Sequence, residues 1–203
     1  TGELEIREMC FSLCPSWSKE FPCKFSTYNA RMQRPKSGPN AKAGEIERIY
    51  QVPTWRDSFC KGQTCLVPLN AAIESSYFGK SAGKIVQFSQ SNQAEFYALG
   101  LWAQWLNKSS GEVHDTFTLL TDDPYPFFFE HGHDRSVLVI DDSSHDAWLS
   151  DKKMKPEERF NFARKKRISL DWSVATDREM KAGWQKRAPS PEEISEIIVW
   201  GGA

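Results

Sequence analysis

Three short islands of this chain carry side chains able to do chemistry together. Asn29 and Arg31 stand in Asn29-Ala30-Arg31, Glu74 follows Cys65-Leu66-Val67-Pro68 at nine residues from its Cys, and His133 and Arg135 stand in His133-Asp134-Arg135. Glu74 sits in the uncharged, partly apolar stretch Leu69-Asn70-Ala71-Ala72-Ile73. A carboxylate there is either a satisfied structural acid or one whose proton affinity burial raises, so that it hands protons over near neutrality. An imidazole titrates in the same range. Arginine presents a planar fork of donors that fits a phosphate, and asparagine offers a donor and an acceptor together. Such a set handles a proton and holds a phosphate backbone. Each member has a plainer reading: Asn-Ala-Arg as a turn residue beside a surface cation, the histidine as a packed structural one. His131-Gly132-His133 has the form of half a metal site, but no Cys or carboxylate follows at ligand spacing, so no metal and no other cofactor is expected.

The elements that must position these groups are mostly short strands. Leu4 to Cys14 alternates apolar and polar side chains and reads as a strand with a slip near Glu8, ended by Pro15 and Trp17. Arg34 to Gly44, with two Pro and two Gly, reads as a loop. Thr54 after Pro53 caps a short helix. Strands are expected at Thr64–Val67, Ile85–Ser89, Glu95–Leu101, Thr116–Thr121 and Val137–Ile140, from their β-branched and aromatic enrichment. A short helix is expected at Ser144–Leu149. Beyond Asp151 the chain turns charged, with Lys152, Lys153, Lys155 and the run Arg164-Lys165-Lys166-Arg167 reading as a solvated helix face. Ser190-Pro191-Glu192-Glu193 supplies a cap, a first-turn proline and first-turn acids ahead of an Ile194-Ile197-Ile198 face. The sum is an α+β fold, a mostly antiparallel sheet core flanked by a few helices. It is read as one domain over 1–203, with 150–203 as a helical extension too short for its own core.

Composition sets the outer limits. The sequence has 203 residues, 39% of them hydrophobic and 13% aromatic, which describes a folded globular chain rather than a disordered one. A net charge of −1 means that nucleic-acid binding would have to rest on a local basic surface. No apolar run approaches the roughly 18 residues that cross a bilayer, and Thr1 to Glu8 lacks the apolar core of a signal peptide. The five cysteines, at 10, 14, 23, 60 and 65, form no tight pair motif and read as reduced thiols. A monomeric protein without membrane contact is the expectation, cytoplasmic in a bacterial or phage setting or nuclear in a eukaryotic one.

In order, type and spacing, the islands and Leu13-Cys14-Pro15-Ser16-Trp17 resemble the SRAP family, the SOS-response-associated peptidases, over roughly Glu3 to Leu149. That resemblance implies a sensor of abasic sites in single-stranded DNA, part of the DNA-damage (SOS) response, which makes a covalent protein–DNA crosslink. Asn29 would orient the opened sugar, Glu74 and His133 would carry protons, and Arg31 and Arg135 would hold phosphates. Trp17 would pack near the nucleotide beside the lesion, with core packing as the rival reading; stacking on an aromatic side chain contributes about 1–3 kcal/mol per base. Departures from the family pattern fall at Met32-Gln33 for Glu-Thr, Ser75 for a Trp, and Ser136-Val137 for Met-Pro.

The family nucleophile is a Cys at the mature amino terminus. Its α-amine, with a pKa of about 7.7–8.0, forms an imine with the sugar aldehyde, and its thiol closes a thiazolidine. Met9-Cys10 resembles such a start, but its register places Cys10 in the strand before the Pro15-Ser16-Trp17 turn. The expectation is an amino-terminally incomplete chain, in which the Cys10 nitrogen is held in a peptide bond to Met9. Family members are also assigned autoproteolysis, so hydrolase, protease and lyase labels are all compatible. Two other readings stay open: a non-catalytic nucleic-acid-binding accessory protein on the same scaffold, and a thiol hydrolase using Cys and His133. If the resemblance is real, Asn29, Glu74 and His133 converge in one cleft.

Overall fold

The computed structural model describes residues 4–36, 41–42, 44–150 and 153–201. Residues 37–40 and 43 of the expected loop, and Lys152 of the charged stretch, lie outside the described residues. The fold is α+β, with mostly antiparallel strands and five α-helices among the described residues. The strands are β1 (Cys10–Phe11), β2 (Asn29–Arg31), β3 (Gln33–Pro35), β4 (Ile46–Arg48), β5 (Thr64–Leu69), β6 (Ala71–Ser75), β7 (Lys84–Gln90), β8 (Phe96–Leu106), β9 (Val113–Asp122), β10 (Ser136–Val137) and β11 (Trp172–Glu179). The helices are α1 (Pro53–Cys60), α2 (Pro126–Glu130), α3 (His145–Ser150), α4 (Pro156–Lys165) and α5 (Pro191–Ser195). The chain divides into two compact units, the first comprising 1–67, 98–121 and 140–167, the second 68–97, 122–139 and 168–203.

The first unit is organised around β9. Its antiparallel neighbour β8 sets Gly100 opposite Leu119 and Trp102 opposite Phe117, and β5 lies on the far side of β8. Along the other edge of β9 run two short parallel strands: β1, pairing Cys10 with Thr116, and then β2, pairing Asn29 with Leu119. The expected Leu4–Cys14 strand is therefore confined to two residues. Ser12 has a φ of 116°, which breaks the extended run. Gly100 is needed where it stands, because a Cβ would lie 2.8 Å from both the Cys65 sulfur and the Thr118 carbonyl oxygen. Leu13, Met32, Ile49, Phe59, Leu101, Leu120 and Trp148 are buried in this unit.

Helix α1 begins at Pro53 in the first helical position, with Val52 as its cap rather than Thr54. Of the basic run, Arg164 donates to Gln33 Oε1 at 2.9 Å and Arg167 is 3% exposed. The run is thus half packed and half solvated, correcting the reading of a solvated face: the helix turns Arg164 toward β3, and Arg167 lies past its end, bridged to Ile140.

The second unit is an antiparallel sheet in the order β11–β7–β6. Trp172 pairs with Gln90 at one end and Glu74 pairs with Val86 in the middle of β6. Its interior is aromatic: Phe88 stacks on Phe128 at 3.9 Å, and Trp172 meets Phe128 and Phe96 edge-on at 5.0 and 5.2 Å. Strand β11 corrects the reading of 150–203 as helical. Its alternation is short and carries charges, and its stability as a strand comes from pairing with β7. At the end of the chain α5 is capped as expected, Ser190 accepting from Glu193 N–H, but it stops at Ser195, so Ile197 and Ile198 form no helical face.

Candidate active site

Strand β6 brings Glu74 to the site by simple alternation: Ala72 is buried, Ile73 is exposed, and Glu74 lies half-buried. His133 arrives from the turn after α2. Gly132 has a φ of +92°, and a Cβ there would come within 1.7 Å of the Phe78 carbonyl oxygen, so only glycine lets the turn close on that backbone. Three backbone hydrogen bonds pin it. Gly132 and His133 donate to the Phe129 and Phe128 carbonyls at 2.9 and 3.0 Å, and Tyr77 donates to Gly132 O at 2.9 Å.

The two side chains meet. His133 Nε2 lies 3.3 Å from Glu74 Oε2, with side-chain exposures of 6% and 18%. On its other side His133 Nδ1 is 3.1 Å from the Ser75 carbonyl oxygen. A carbonyl only accepts, so Nδ1 carries a hydrogen and donates it. Nε2 faces the Glu74 carboxylate, so a proton carried by either group lies within reach of the other. Such a pair takes a proton from one atom and returns one to another without water. Both nitrogens of His133 are engaged, so a thiol–imidazole pair with it would have to displace one of these bonds. His131 is separate: its Nδ1 meets Ser81 Oγ at 2.8 Å, its ring packs on Phe127 at 4.8 Å, and burial lowers its pKa.

The remaining predicted residues divide between the units. Arg135, in the second, is partly exposed with its Nε 3.3 Å from Asp134 Oδ1. Asn29 and Arg31 belong to the first. Both lie on the non-core side of β2, Asn29 exposed and Arg31 half-buried, with buried Ala30 between them. Trp17 is 51% exposed, which removes it from the core, and it stacks on Phe25 at 5.6 Å with ring planes 11° apart. Its indole N–H donates to Pro53 O at 3.3 Å. Burial holds the Cys65 thiol protonated, its pKa pushed up to about 12, so Cys65 is no nucleophile. Among the described residues no three His, Cys, Asp or Glu side chains cluster as a metal site, and no helix is long and apolar enough to cross a membrane.

Sequence reasoning missed the Ser75 carbonyl, which orients His133, and the Phe25 ring under Trp17. The first has no side-chain signal, since any residue at position 75 supplies a carbonyl. The second had one: an aromatic eight residues from Trp17, beyond Phe21 in the same loop.

Comparison with known proteins decides the family. The model of the SRAP family, SOS response associated peptidase, matches residues 1–177. The chain belongs to this family. The SRAP match extends past Leu149 and takes in most of β11, so the second unit's sheet is part of the matched region. No curated protein matches the chain. Among solved structures, a protein from Bordetella bronchiseptica superposes with a TM-score of 0.61 at 22% identity, over 82% of this chain and 74% of that one. A protein from Bacteroides thetaiotaomicron gives 0.62 at 18% identity, over 93% and 75%. A phage-related protein from Bordetella bronchiseptica gives 0.50 at 16%, over 80% and 68%. At these identities the likeness is one of fold.

Proposed function

We infer that this SRAP protein recognises abasic sites in single-stranded DNA and that Glu74 and His133 open the abasic sugar. The observation that carries the reading is the contact of Glu74 with His133 at 3.3 Å, with the imidazole oriented by the Ser75 carbonyl. An abasic sugar is a cyclic hemiacetal. Opening it takes the proton from the anomeric hydroxyl, breaks the bond from the anomeric carbon to the ring oxygen, and puts a proton on that oxygen. The pair supplies both transfers and leaves a free aldehyde. Asn29 orients the opened sugar, Arg31 and Arg135 hold phosphates, and Trp17 stacks on a base of the strand. In a polypeptide that presents an amino-terminal Cys to the aldehyde, the α-amine displaces water to give the imine, and the thiol adds to the imine carbon to complete the crosslink.

Binding is tested by titrating a labelled single strand containing one abasic site over a range of salt. The log of the affinity should fall linearly with the log of salt concentration, each phosphate contact adding about −0.7 to the slope. Arg31→Ala with Arg135→Ala should reduce the slope by about 1.4. An affinity independent of salt, or untouched by the double substitution, would remove the nucleic-acid reading.

A further inference from the structure

The ten-residue segment from Cys14 to Cys23 carries Trp17 and is folded back on itself by contacts that bring its two end thiols together. Cys14 is fully buried at the end of the turn from β1, its N–H donating to Thr116 Oγ1 at 2.9 Å, and Thr116 in turn donating to Ala103 O at 3.0 Å. At the other end, the Phe21 ring stacks on His114 at 3.9 Å and packs on Trp105 at 5.6 Å. The Trp105 indole donates to Ser18 O at 2.9 Å, and Ser18 Oγ donates to Glu20 O at 2.8 Å. Between these anchors the Cys23 sulfur lies 2.9 Å from the Cys14 sulfur, and Cys23 is partly exposed. The other three cysteines are spread over β1, α1 and β5.

We propose that Cys14 and Cys23 are a reversible dithiol–disulfide pair, oxidised by a peroxide, whose bond locks the Trp17 loop to the sheet. The order of events follows from access. Burial pushes the Cys14 thiol up to about 12, so it is not the group that meets oxidant first. The Cys23 sulfur gives up its proton and attacks a hydrogen peroxide oxygen: the O–O bond breaks, one oxygen stays on Cys23 as a sulfenic acid, and the other takes up the proton and leaves as water. The Cys14 sulfur, already in contact, gives up its proton and displaces the hydroxyl from Cys23, forming the S–S bond and releasing a second water. Two thiols are oxidised and one peroxide is reduced. A small-molecule dithiol reverses the reaction by exchange. Because the anchors hold the sulfurs together in the reduced protein, the oxidised loop differs from the reduced one in freedom rather than in path. Any effect on DNA through Trp17 rests on the function inferred above, whereas the disulfide does not.

The test is peptide mapping of the full chain after treatment with hydrogen peroxide and alkylation of remaining thiols. Trypsin cuts after Arg7, Lys19 and Lys24, so the expected product is Glu8–Lys19 joined to Glu20–Lys24, with fragmentation placing the link at Cys14 and the alkyl group at Cys10. Reduction should separate the two peptides, and Cys23→Ser should prevent the link while the protein stays folded. In the native protein, cleavage after Lys19 should slow about fivefold or more on oxidation and recover on reduction. Alkylation of all five cysteines after peroxide, or Cys23 carried to the sulfinic acid with Cys14 still free, would overturn the pair. A mapped disulfide that leaves cleavage after Lys19 unchanged would overturn the locking. Abasic-strand affinity measured in both redox states separates this outcome from failure of the DNA reading, which the salt titration judges alone.

Discussion

Glu74 and His133 meet as one unit, and the Ser75 carbonyl removes the choice of tautomer from the imidazole. Glu74→Gln separates structure from proton transfer. The amide still donates a hydrogen bond to an unprotonated Nε2, so the fold and strand affinity should survive, but the carboxylate that exchanges a proton with the ring is gone. Ring opening, followed as the rate at which an alkoxyamine captures the aldehyde of the bound abasic strand, should slow by about 10²–10³-fold. A rate within a factor of two of the unsubstituted protein would remove the acid–base role. At this scale much was legible. A lone carboxylate in an uncharged run and a histidine flanked by charge both announce themselves by type. What could not be read was their mutual distance, since Ser75 and His133 stand fifty-eight positions apart, with β7, β8, β9 and α2 between them, and no local pattern encodes their closure.

Elements place these residues through backbone approach as much as through pattern. Gly132 is the clearest instance, combining a positive φ with a neighbouring carbonyl at 1.7 Å from any added Cβ. Gly183 has a similar φ, +86°, and open space around it. Gly132→Ala should therefore cost about 3–5 kcal/mol in urea unfolding, against about 1 kcal/mol for Gly183→Ala. The difference reports the steric term alone. Equal losses would mean that the Phe78 backbone gives way freely and does not hold the His133 turn. The long strands were visible in sequence because half-buried β-branched and aromatic residues recur along them, and their ends ran two to five residues past expectation where pairing continued through residues of weak preference. Strands β2, β6 and β11 were less visible. Each is short or polar and owes its extended form to pairing rather than to its own side chains, β2 with β9 and β11 with β7 far along the chain, β6 with β7 close by.

For the molecule as a whole, the buried thiols set an alkaline limit. Cys65 is raised from an ordinary value of 9.0 to about 12 by burial alone. Below about 9 the thiol is protonated whether folded or unfolded and the contribution is fully present; above it the unfolded chain releases a proton that the folded chain keeps, so stability falls as pH climbs from 9 toward 12. Thermal unfolding across that range should show the decline, and Cys65→Ala should make it shallower even though the vacated volume lowers stability at every pH. An unchanged slope would show that the thiol is not desolvated. The α+β class was legible from strand spacing and turn chemistry, whereas the division into two units was not, since each is assembled from three separate stretches of chain. One arrangement in the first unit has a further consequence. Strands β1 and β2 lie end to end along a single edge of β9, so the seventeen residues between Phe11 and Asn29 leave the sheet and return to it with both exits nailed to the same rail. Lengthening that excursion costs only about 0.6 kcal/mol per doubling of its length. It is the natural grafting point of the molecule, where a new recognition surface can be spliced beside Asn29 without recasting the ladder beneath.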